Sequence, residues 1–292
     1  MLVPLCFAAS CKKSPAPAVS DKKDAVAEQL FKQPHILYSR DCLVPAGATV
    51  ATKEVRNLSN ATLEMSIQGQ TIKGIMAKRY EHAYTASYLS DSSMRLQYQE
   101  DKVSGRAIVN GKPAPQPNES LSLHKKTIIF NRAGDSWSGT LEDGVPTTDQ
   151  KKRIEELARH LNATNYKVLF GEFPRKVGDS WDIEATKLDS YMGSLKEMQG
   201  LCKVRFQSLR KHQGHDCAVI VTRFNLTGEE PEGMEMQLVG RAVTLISLDY
   251  LLPLSMEMKG EIAMDHPIME GRGRMRTKGA IELERESVIQ LP

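Results

Sequence analysis

Two serines stand in the same tetrapeptide, Gly-Asp-Ser-Trp, at residues 134–137 and 178–181. Either hydroxyl could attack an acyl carbon if a neighbouring base removed its proton. The two copies also contain the only tryptophans of the chain, Trp137 and Trp181. A Gly-Asp pair favours a turn, and an indole after it is typical of a strand start whose ring packs inward. We therefore interpret both tryptophans as structural anchors.

The Gly-Asp-Ser triple resembles the nucleophile block of one lipase and esterase family. That resemblance implies a nucleophilic Ser136 or Ser180, an α/β sheet and an Asp-x-x-His motif near the C-terminus. No Asp-x-x-His follows in this chain, where the nearest sequence is Asp265-His266, and the surrounding pattern is β-rich. A serine hydrolase is therefore the third hypothesis, and we expect no catalytic residue and no enzyme activity.

Four potential metal ligands lie within six residues: His212, His215, Asp216 and Cys217. Imidazole, carboxylate and thiolate all bind zinc and related ions. One tight turn can hardly direct all four at the same ion, however, and no second ligand group is evident. We interpret the segment as a solvated hairpin turn, and we expect no metal site and no cofactor.

Methionine is the most informative residue type, since seven of the thirteen lie between positions 234 and 275. Two Met-Glu-Met triplets place both thioethers on one strand face and the glutamate on the other. Such a face can fill a core, line a cavity for an apolar guest or, together with His266, bind Cu(I). All three interpretations stay open, with core filling first. The candidates for lining an apolar cavity are Met256, Met258, Ile262, Met264 and Met275.

Charged residues alternate along the last two predicted strands. If position 261 lies opposite about 274, the glutamates at 257 and 261 face the basic residues of the final strand as cross-strand pairs. The alternative is a basic patch for anionic lipid headgroups. The basic residues concerned are Arg272, Arg274, Arg276 and Lys278.

These residues depend on long strands for their position. Alternating apolar and polar residues predict strands from about 48 to 142 and again from 201 to 288, and Asn110-Gly111 predicts a tight turn. Between them, helical spacing of apolar residues predicts one amphipathic helix over 147–163. We expect a mainly β fold, β-rich α+β, with curved antiparallel sheets or a half-barrel and one dividing helix.

The predicted organisation has five parts. They are a signal-peptide remnant (1–10), a flexible lipid-anchored tether (11–24), an N-terminal β-rich half (25–146), the dividing helix (147–163) and a C-terminal antiparallel β meander (164–292).

Composition excludes two classes of protein. The chain has 292 residues, of which 40% are hydrophobic and 26% charged, as in ordinary soluble proteins. A net charge of only +3 argues against a nucleic-acid partner. No apolar run approaches the ~20 residues that a membrane-spanning helix needs.

The N-terminus indicates export. Residues 1–10 are apolar and uncharged, as at the end of a secretory signal. Ala8-Ala9-Ser10-Cys11 resembles a bacterial lipobox, although that motif usually has Leu where Ala8 stands and a basic segment before the apolar run. The resemblance implies that Cys11 is lipidated and anchors the protein to a membrane. Because Lys12 follows Cys11, it also implies an outer-membrane lipoprotein that faces the periplasm in a Gram-negative cell envelope.

Cysteine usage leaves the disulfide question open. With Cys11 lipidated, Cys42, Cys202 and Cys217 remain, which is an odd number outside the leader. An envelope location permits one disulfide among them, and spacing does not decide the pairing. The Asn-x-Ser/Thr sequons would matter only in a eukaryotic secretory protein, a minor alternative.

The segment Pro174–Trp181, with the sequence PRKVGDSW, resembles a signature of uncharacterised bacterial envelope lipoproteins. That family implies no activity or catalytic residue. Long antiparallel strands behind a lipidated N-terminus also resemble the half-barrel of periplasmic lipoprotein carriers. Our first hypothesis is a non-enzymatic envelope lipoprotein that binds an apolar or lipid-like ligand in a curved sheet. The alternative is an envelope scaffold or interaction protein with a packed core and no ligand.

Overall fold

The computed structural model describes residues 31–39, 43–116, 118–134, 136–161, 164–188, 196–229, 233–269 and 272–292. The predicted signal remnant, Cys11, the tether and Cys42 lie outside the described residues. No helix among the described residues is both long and apolar enough to cross a membrane.

Seven strands precede the helices. They are β1 (Thr49–Ile67), β2 (Gln70–Ser90), β3 (Ser93–Val109), β4 (Lys112–Ala114), β5 (Glu119–Ser120), β6 (Thr127–Ala133) and β7 (Ser136–Leu141). Two-residue turns join β1 to β2 at Gln68-Gly69 and β3 to the short β4 at Asn110-Gly111. All four of these residues have positive φ angles, between 49° and 82°. This is the backbone of a type I′ turn, whose twist suits a hairpin and which Asn-Gly adopts readily.

Two helices follow, α1 (Thr148–Leu161) and α2 (Thr164–Phe170). A reciprocal capping box starts α1, since the Gln150 backbone N–H donates to the Thr147 hydroxyl (3.3 Å) and the Thr147 backbone N–H donates to Gln150 Oε1 (2.9 Å). Ile154 and Ala158 are buried on one side of α1, as their helical spacing predicts. The sequence interpretation did not include α2 or the 3₁₀ turn at Ala185–Leu188.

The remaining strands are long, apart from the first. They are β8 (Ser180–Glu184), β9 (Lys196–His212), β10 (His215–Glu229), β11 (Glu235–Ser247), β12 (Pro253–Ile268) and β13 (Gly273–Gln290).

The thirteen strands of the described residues belong to one antiparallel sheet. Its order is β7-β6-β3-β2-β1-β13-β12-β11-β10-β9-β8, with the short β4 and β5 attached to β3. Because β1 pairs with β13, strands from both sides of α1 share this sheet. The sheet ends at β7 and β8, so it is open and does not close into a barrel. The predicted mainly β, antiparallel fold is confirmed.

Strand register defines two faces of the sheet. We call the face that carries Met256, Met258 and Met264 on β12 the methionine face, and the opposite one, with Glu257 and Asp265, the charged face. Two cores lie on the methionine face. One packs α1 against β3, β6 and β7, and the other packs α2 and the 3₁₀ turn against β8, β9 and β10. A smaller cluster contains Cys217, Val219, Leu245 and Leu254.

Candidate functional site

Methionines from several adjacent strands come together on the methionine face. Leu63 of β1 pairs with Thr277 of β13, Thr277 with Met264 of β12, and Met264 with Met236 of β11. Paired residues project on the same side of a sheet, so these four form one continuous row across four strands.

Two further rows flank this one. On one side, Met65 pairs with Ile72 and Met275, and on the other, Ile262 pairs with Leu238. All of them are half-buried except Leu238, which is buried. We call the set the methionine wall. Its members are Leu63, Met65, Ile72, Met236, Leu238, Ile262, Met264, Met275 and Thr277.

A cavity of about 880 Å³ adjoins the central row of the wall. Its lining comes from seven adjacent strands, from β2 at one side to β9 at the other. The apolar part includes Leu63, Met236 and Met264. The charged part comprises Glu64, Lys73, Glu197, Glu229, Glu235, Asp265, Arg276 and Lys278. By register most of these charged residues project from the charged face and the three apolar ones from the methionine face, so the lining is amphipathic and combines residues of both faces of the sheet.

The charges beside this cavity pair across the strands. Asp265 accepts hydrogen bonds from Nε of Arg274 (2.8 Å) and Nε of Arg276 (2.9 Å). The bond from Arg274 is the largest cause that lowers the pKa of Asp265, and burial opposes it only in part. Lys73 lies 3.8 Å from Glu64. Ion pairs thus connect several of these charged side chains across the strands.

The predicted register of the charged strands is wrong. Glu261 pairs with Ala280, not with Arg274, because β12 continues to Ile268 and β13 begins only at Gly273. The turn lies farther along the chain than the sequence interpretation placed it. Lys278 still reaches Glu261 at 3.6 Å, so charges do face one another across these two strands.

The structure separates the five predicted cavity residues. Met264 lines the 880 Å³ cavity. The other four are half-buried on the same face, and neither this cavity nor a second cavity, beside α1, has them in its lining. They are Met256, Met258, Ile262 and Met275. Their role in binding a ligand stays a prediction.

The two tryptophans lie where each Gly-Asp-Ser-Trp segment enters a strand. Trp181 Nε1 donates to the Leu169 carbonyl (2.9 Å), and the Arg175 guanidinium lies 4.5 Å from the centre of its ring. Asp179 accepts a hydrogen bond from the Lys176 backbone N–H (2.8 Å), which holds the preceding turn. Trp137 is half-buried against the α1 core.

The two candidate serines are exposed at strand starts. Ser136 begins β7 and Ser180 begins β8. Within the described part of the chain, neither hydroxyl has a histidine as its hydrogen-bond partner, and the absence of catalytic residues stays a prediction.

The two histidines of the β9–β10 turn contact different carboxylates. His212 Nε2 lies 3.3 Å from Glu286 of β13, and His215 Nδ1 lies 3.7 Å from Asp249. Over the described ranges no three His, Cys, Asp or Glu side chains form a metal-binding group. His212 lies on β9 and Glu286 on β13, four strands away in the sheet order. In a flat sheet these two strands would be ~19 Å apart, so the contact shows that the sheet curls here.

Cys202 and Cys217 are free, buried thiols. Burial, with a smaller contribution from Asp182, raises the pKa of Cys202 to about 11. Burial and Asp216 likewise raise that of Cys217 to about 11. Cys202 of β9 pairs with Phe224 of β10, and Phe224 lies seven residues from Cys217 on β10. Because side chains alternate along a strand, the two thiols point to opposite faces of the sheet.

Sequence reasoning missed the contributions of β1 and β2 to the wall. Leu63, Met65 and Ile67 do alternate with polar residues, so the signal for a strand face was present. It could not show that this face adjoins Met264, because β1 and β13 pair across more than two hundred residues of sequence.

Comparisons with known proteins give remote structural likenesses. No family model and no curated protein matches the chain. A structure of lipid–protein interactions in lipovitellin is 9% identical with a TM-score of 0.39, and the match covers 84% of this chain but 25% of that one. The chain thus spans a quarter of the lipovitellin chain that it matches.

Two other solved structures match over most of both chains. A DUF1329 family protein from Desulfovibrio piger is 11% identical, with coverages of 85% and 87% and a TM-score of 0.16. A β-barrel-like DUF1849 protein from Brucella abortus is 9% identical, with coverages of 82% and 98% and a TM-score of 0.19. At these identities no function passes from any of the three to this chain.

Proposed function

We propose that this protein is a non-enzymatic binding protein for an amphiphilic, lipid-like ligand. The observation that carries the proposal is the amphipathic cavity of about 880 Å³ beside the central row of the methionine wall. Cavities of roughly 300–1,000 Å³ hold small-molecule ligands, and flexible thioethers adapt to apolar chains of variable shape.

The two kinds of lining residue favour a ligand with an apolar chain and a polar end. The apolar chain packs against Leu63, Met236 and Met264 of the methionine face, and the polar end turns toward the charged-face residues that also line the cavity. Arg276 is already engaged by Asp265, whereas Lys278 has a looser partner at 3.6 Å. Lys278 is therefore the cation whose existing ion pair should cost the least free energy to break when an anionic or zwitterionic end binds.

The site suits an envelope lipoprotein, which meets lipids at a membrane surface. We propose that Cys11 carries the lipid anchor and that the protein faces the periplasm from the outer membrane. The support is the Ala-Ala-Ser-Cys sequence and the Lys/Pro/Ala-rich segment behind it.

Fluorescence titration with dansyl-undecanoic acid tests the binding function. We expect saturable binding by the purified protein. The dissociation constant should be about tenfold larger for the double variant Met236→Gln, Met264→Gln, because polar amides replace apolar contacts with the ligand. The matched control is Met269→Gln, since Met269 is 55% exposed in the β12–β13 turn. Absence of saturable binding by the wild-type protein would sink the proposal, as would equal affinity of the double variant.

A further inference from the structure

A histidine stands among methionines on the methionine face. His266 of β12 pairs with Met275 of β13, and Met275 pairs with Met65 of β1. Direct cross-strand partners project to the same side of a sheet, and their Cα atoms are only about 4.5–5.5 Å apart. One imidazole and two thioethers therefore form a row across three strands, two residues along β12 from Met264.

A third thioether lies on the other side of this imidazole. A Cβ atom on Gly233 would lie 3.7 Å from Cγ of Pro267, so the register of β11 and β12 continues past the start of β11. That register places Met234 opposite His266. Met234 also precedes Met236 by two residues, which puts both on the same face of the extended chain. The imidazole thus has a methionine on each side.

One ring nitrogen of His266 has no partner. Nδ1 is shielded from solvent and makes no hydrogen bond within the described ranges. A buried polar atom without a partner costs free energy, and a bound water or ion commonly accounts for one in a native structure. The thioethers beside it are only weak hydrogen-bond acceptors, so they hold a water poorly. They are good ligands for a soft metal ion.

We infer that His266, Met234 and Met275 bind one Cu(I) ion, with Met65 next in the same row. Imidazole and thioether are neutral ligands, and thioethers select Cu(I) among the ions of the first transition row. Each methionine has three rotatable bonds, which lets its sulfur move toward the metal. All four side chains are half-buried, so an ion can reach them from solvent.

The donor set distinguishes this site from a zinc site. Zinc in proteins takes thiolate, imidazole and carboxylate ligands, and this row supplies a single imidazole and no thiolate or carboxylate. The site is also separate from the β9–β10 turn, where no metal is expected. It does not rest on the proposed amphiphile binding, because none of its four residues lines the 880 Å³ cavity.

Anaerobic competition with bicinchoninate, a coloured chelator of Cu(I), tests the inference on the purified protein. Met234→Leu and Met275→Leu should each raise the dissociation constant of Cu(I) about tenfold, because leucine keeps the volume of methionine but has no sulfur. Met76→Leu is the matched control and should change nothing. Met76 is half-buried on the same face, but its cross-strand partners are Ala61 and Ala107.

His266→Phe separates this site from the cysteines, which also bind Cu(I). The variant keeps every thiol, so copper held by thiolates remains, and we expect it to take one equivalent fewer from the chelator than the wild type. Circular dichroism checks that the variant is folded. If His266→Phe takes as much Cu(I) as the wild type, the inference is overturned.

Methyl NMR of the methionines gives a residue-specific measurement, since Cu(I) is diamagnetic. Cu(I) should shift the methyl signals of Met234 and Met275 and leave that of Met76 in place, and Zn(II) should shift none of them. Unchanged signals of Met234 and Met275 with Cu(I) would overturn the inference, as would equal shifts with Zn(II).

Discussion

Gly240 of β11 and Gly260 of β12 are direct cross-strand partners on the methionine face. A Cβ atom on Gly240 would lie 2.9 Å from Cα of Gly260 and 3.0 Å from Cε2 of Phe224. A Cβ atom on Gly260 would lie 2.3 Å from the Val239 carbonyl oxygen. The two strands therefore approach one another at a distance that only glycine permits, next to the methionine wall.

Gly260→Ala should consequently destabilise the protein by about 1–3 kcal/mol, the usual range for overpacking a fitted site. Urea unfolding followed by circular dichroism measures the loss. Ala280→Val, at an exposed position of the neighbouring β13, is the control and should change the free energy of unfolding little. If Gly260→Ala unfolds with the same free energy as the wild type, β11 and β12 can move apart here at no cost in stability, which contradicts the prediction.

Glu54 makes the stability pH-dependent. Burial raises its pKa, but the guanidiniums of Arg56 and Arg285 outweigh burial and hold the pKa below its ordinary value of 4.5. A carboxyl group with a lowered folded pKa contributes stability above that value, and the contribution disappears as the pH falls through the folded pKa.

Glu54→Gln should therefore lower the free energy of unfolding by about 2 kcal/mol at neutral pH, because it removes the buried carboxylate charge that Arg56 and Arg285 stabilise. The difference from the wild type should shrink below pH 4.5. Urea titrations across the acid range measure both. Glu100→Gln, which breaks an exposed pair with Lys102, is the control. A difference independent of pH would contradict this account of Glu54.

Cys202 and Cys217 should be inert in the folded protein. Burial is the first cause of a pKa of about 11 for each thiol, so the reactive thiolate is scarce at mildly alkaline pH. Iodoacetamide labelling with peptide mapping should modify both residues in denaturant and neither in buffer. Rapid labelling of either thiol without denaturant would place it nearer the surface than the structure does.

Lipidation is a separate prediction. Cys11→Ser should move the protein from the membrane fraction to the soluble fraction, because acyl chains are the only anchor proposed. Cell fractionation with immunoblotting measures the distribution, and the control is Cys6→Ser within the same segment. An unchanged distribution of Cys11→Ser would refute the anchor without affecting ligand binding.

The sequence could predict those features that depend on neighbouring residues. The helix over 147–163 appears as α1 at Thr148–Leu161, because its capping box and apolar spacing are local. The Asn110-Gly111 turn and the alternation in β1 are local as well. The short α2 was missed because its seven residues give too few turns for a helical period.

The candidate sites needed information that the sequence does not contain. Met264 was identified on its own strand, but its neighbours Leu63 and Met236 follow from the register of three separate strand pairs. The place of Met65 in the row of His266 likewise follows from strand pairing. The error in the β12–β13 register arose from the position of one turn, which shifts every pair along the hairpin.

Native mass spectrometry of the protein, purified from its envelope without detergent, tests the central claim most directly. We predict a fraction of the protein with a bound small molecule, which lipid extraction recovers as an amphiphile. The Met236→Gln, Met264→Gln variant should lose this fraction, whereas Met269→Gln should keep it. A wild-type protein that carries no small molecule, and takes up none from added lipid, would contradict the claim that the curved sheet binds an amphiphile.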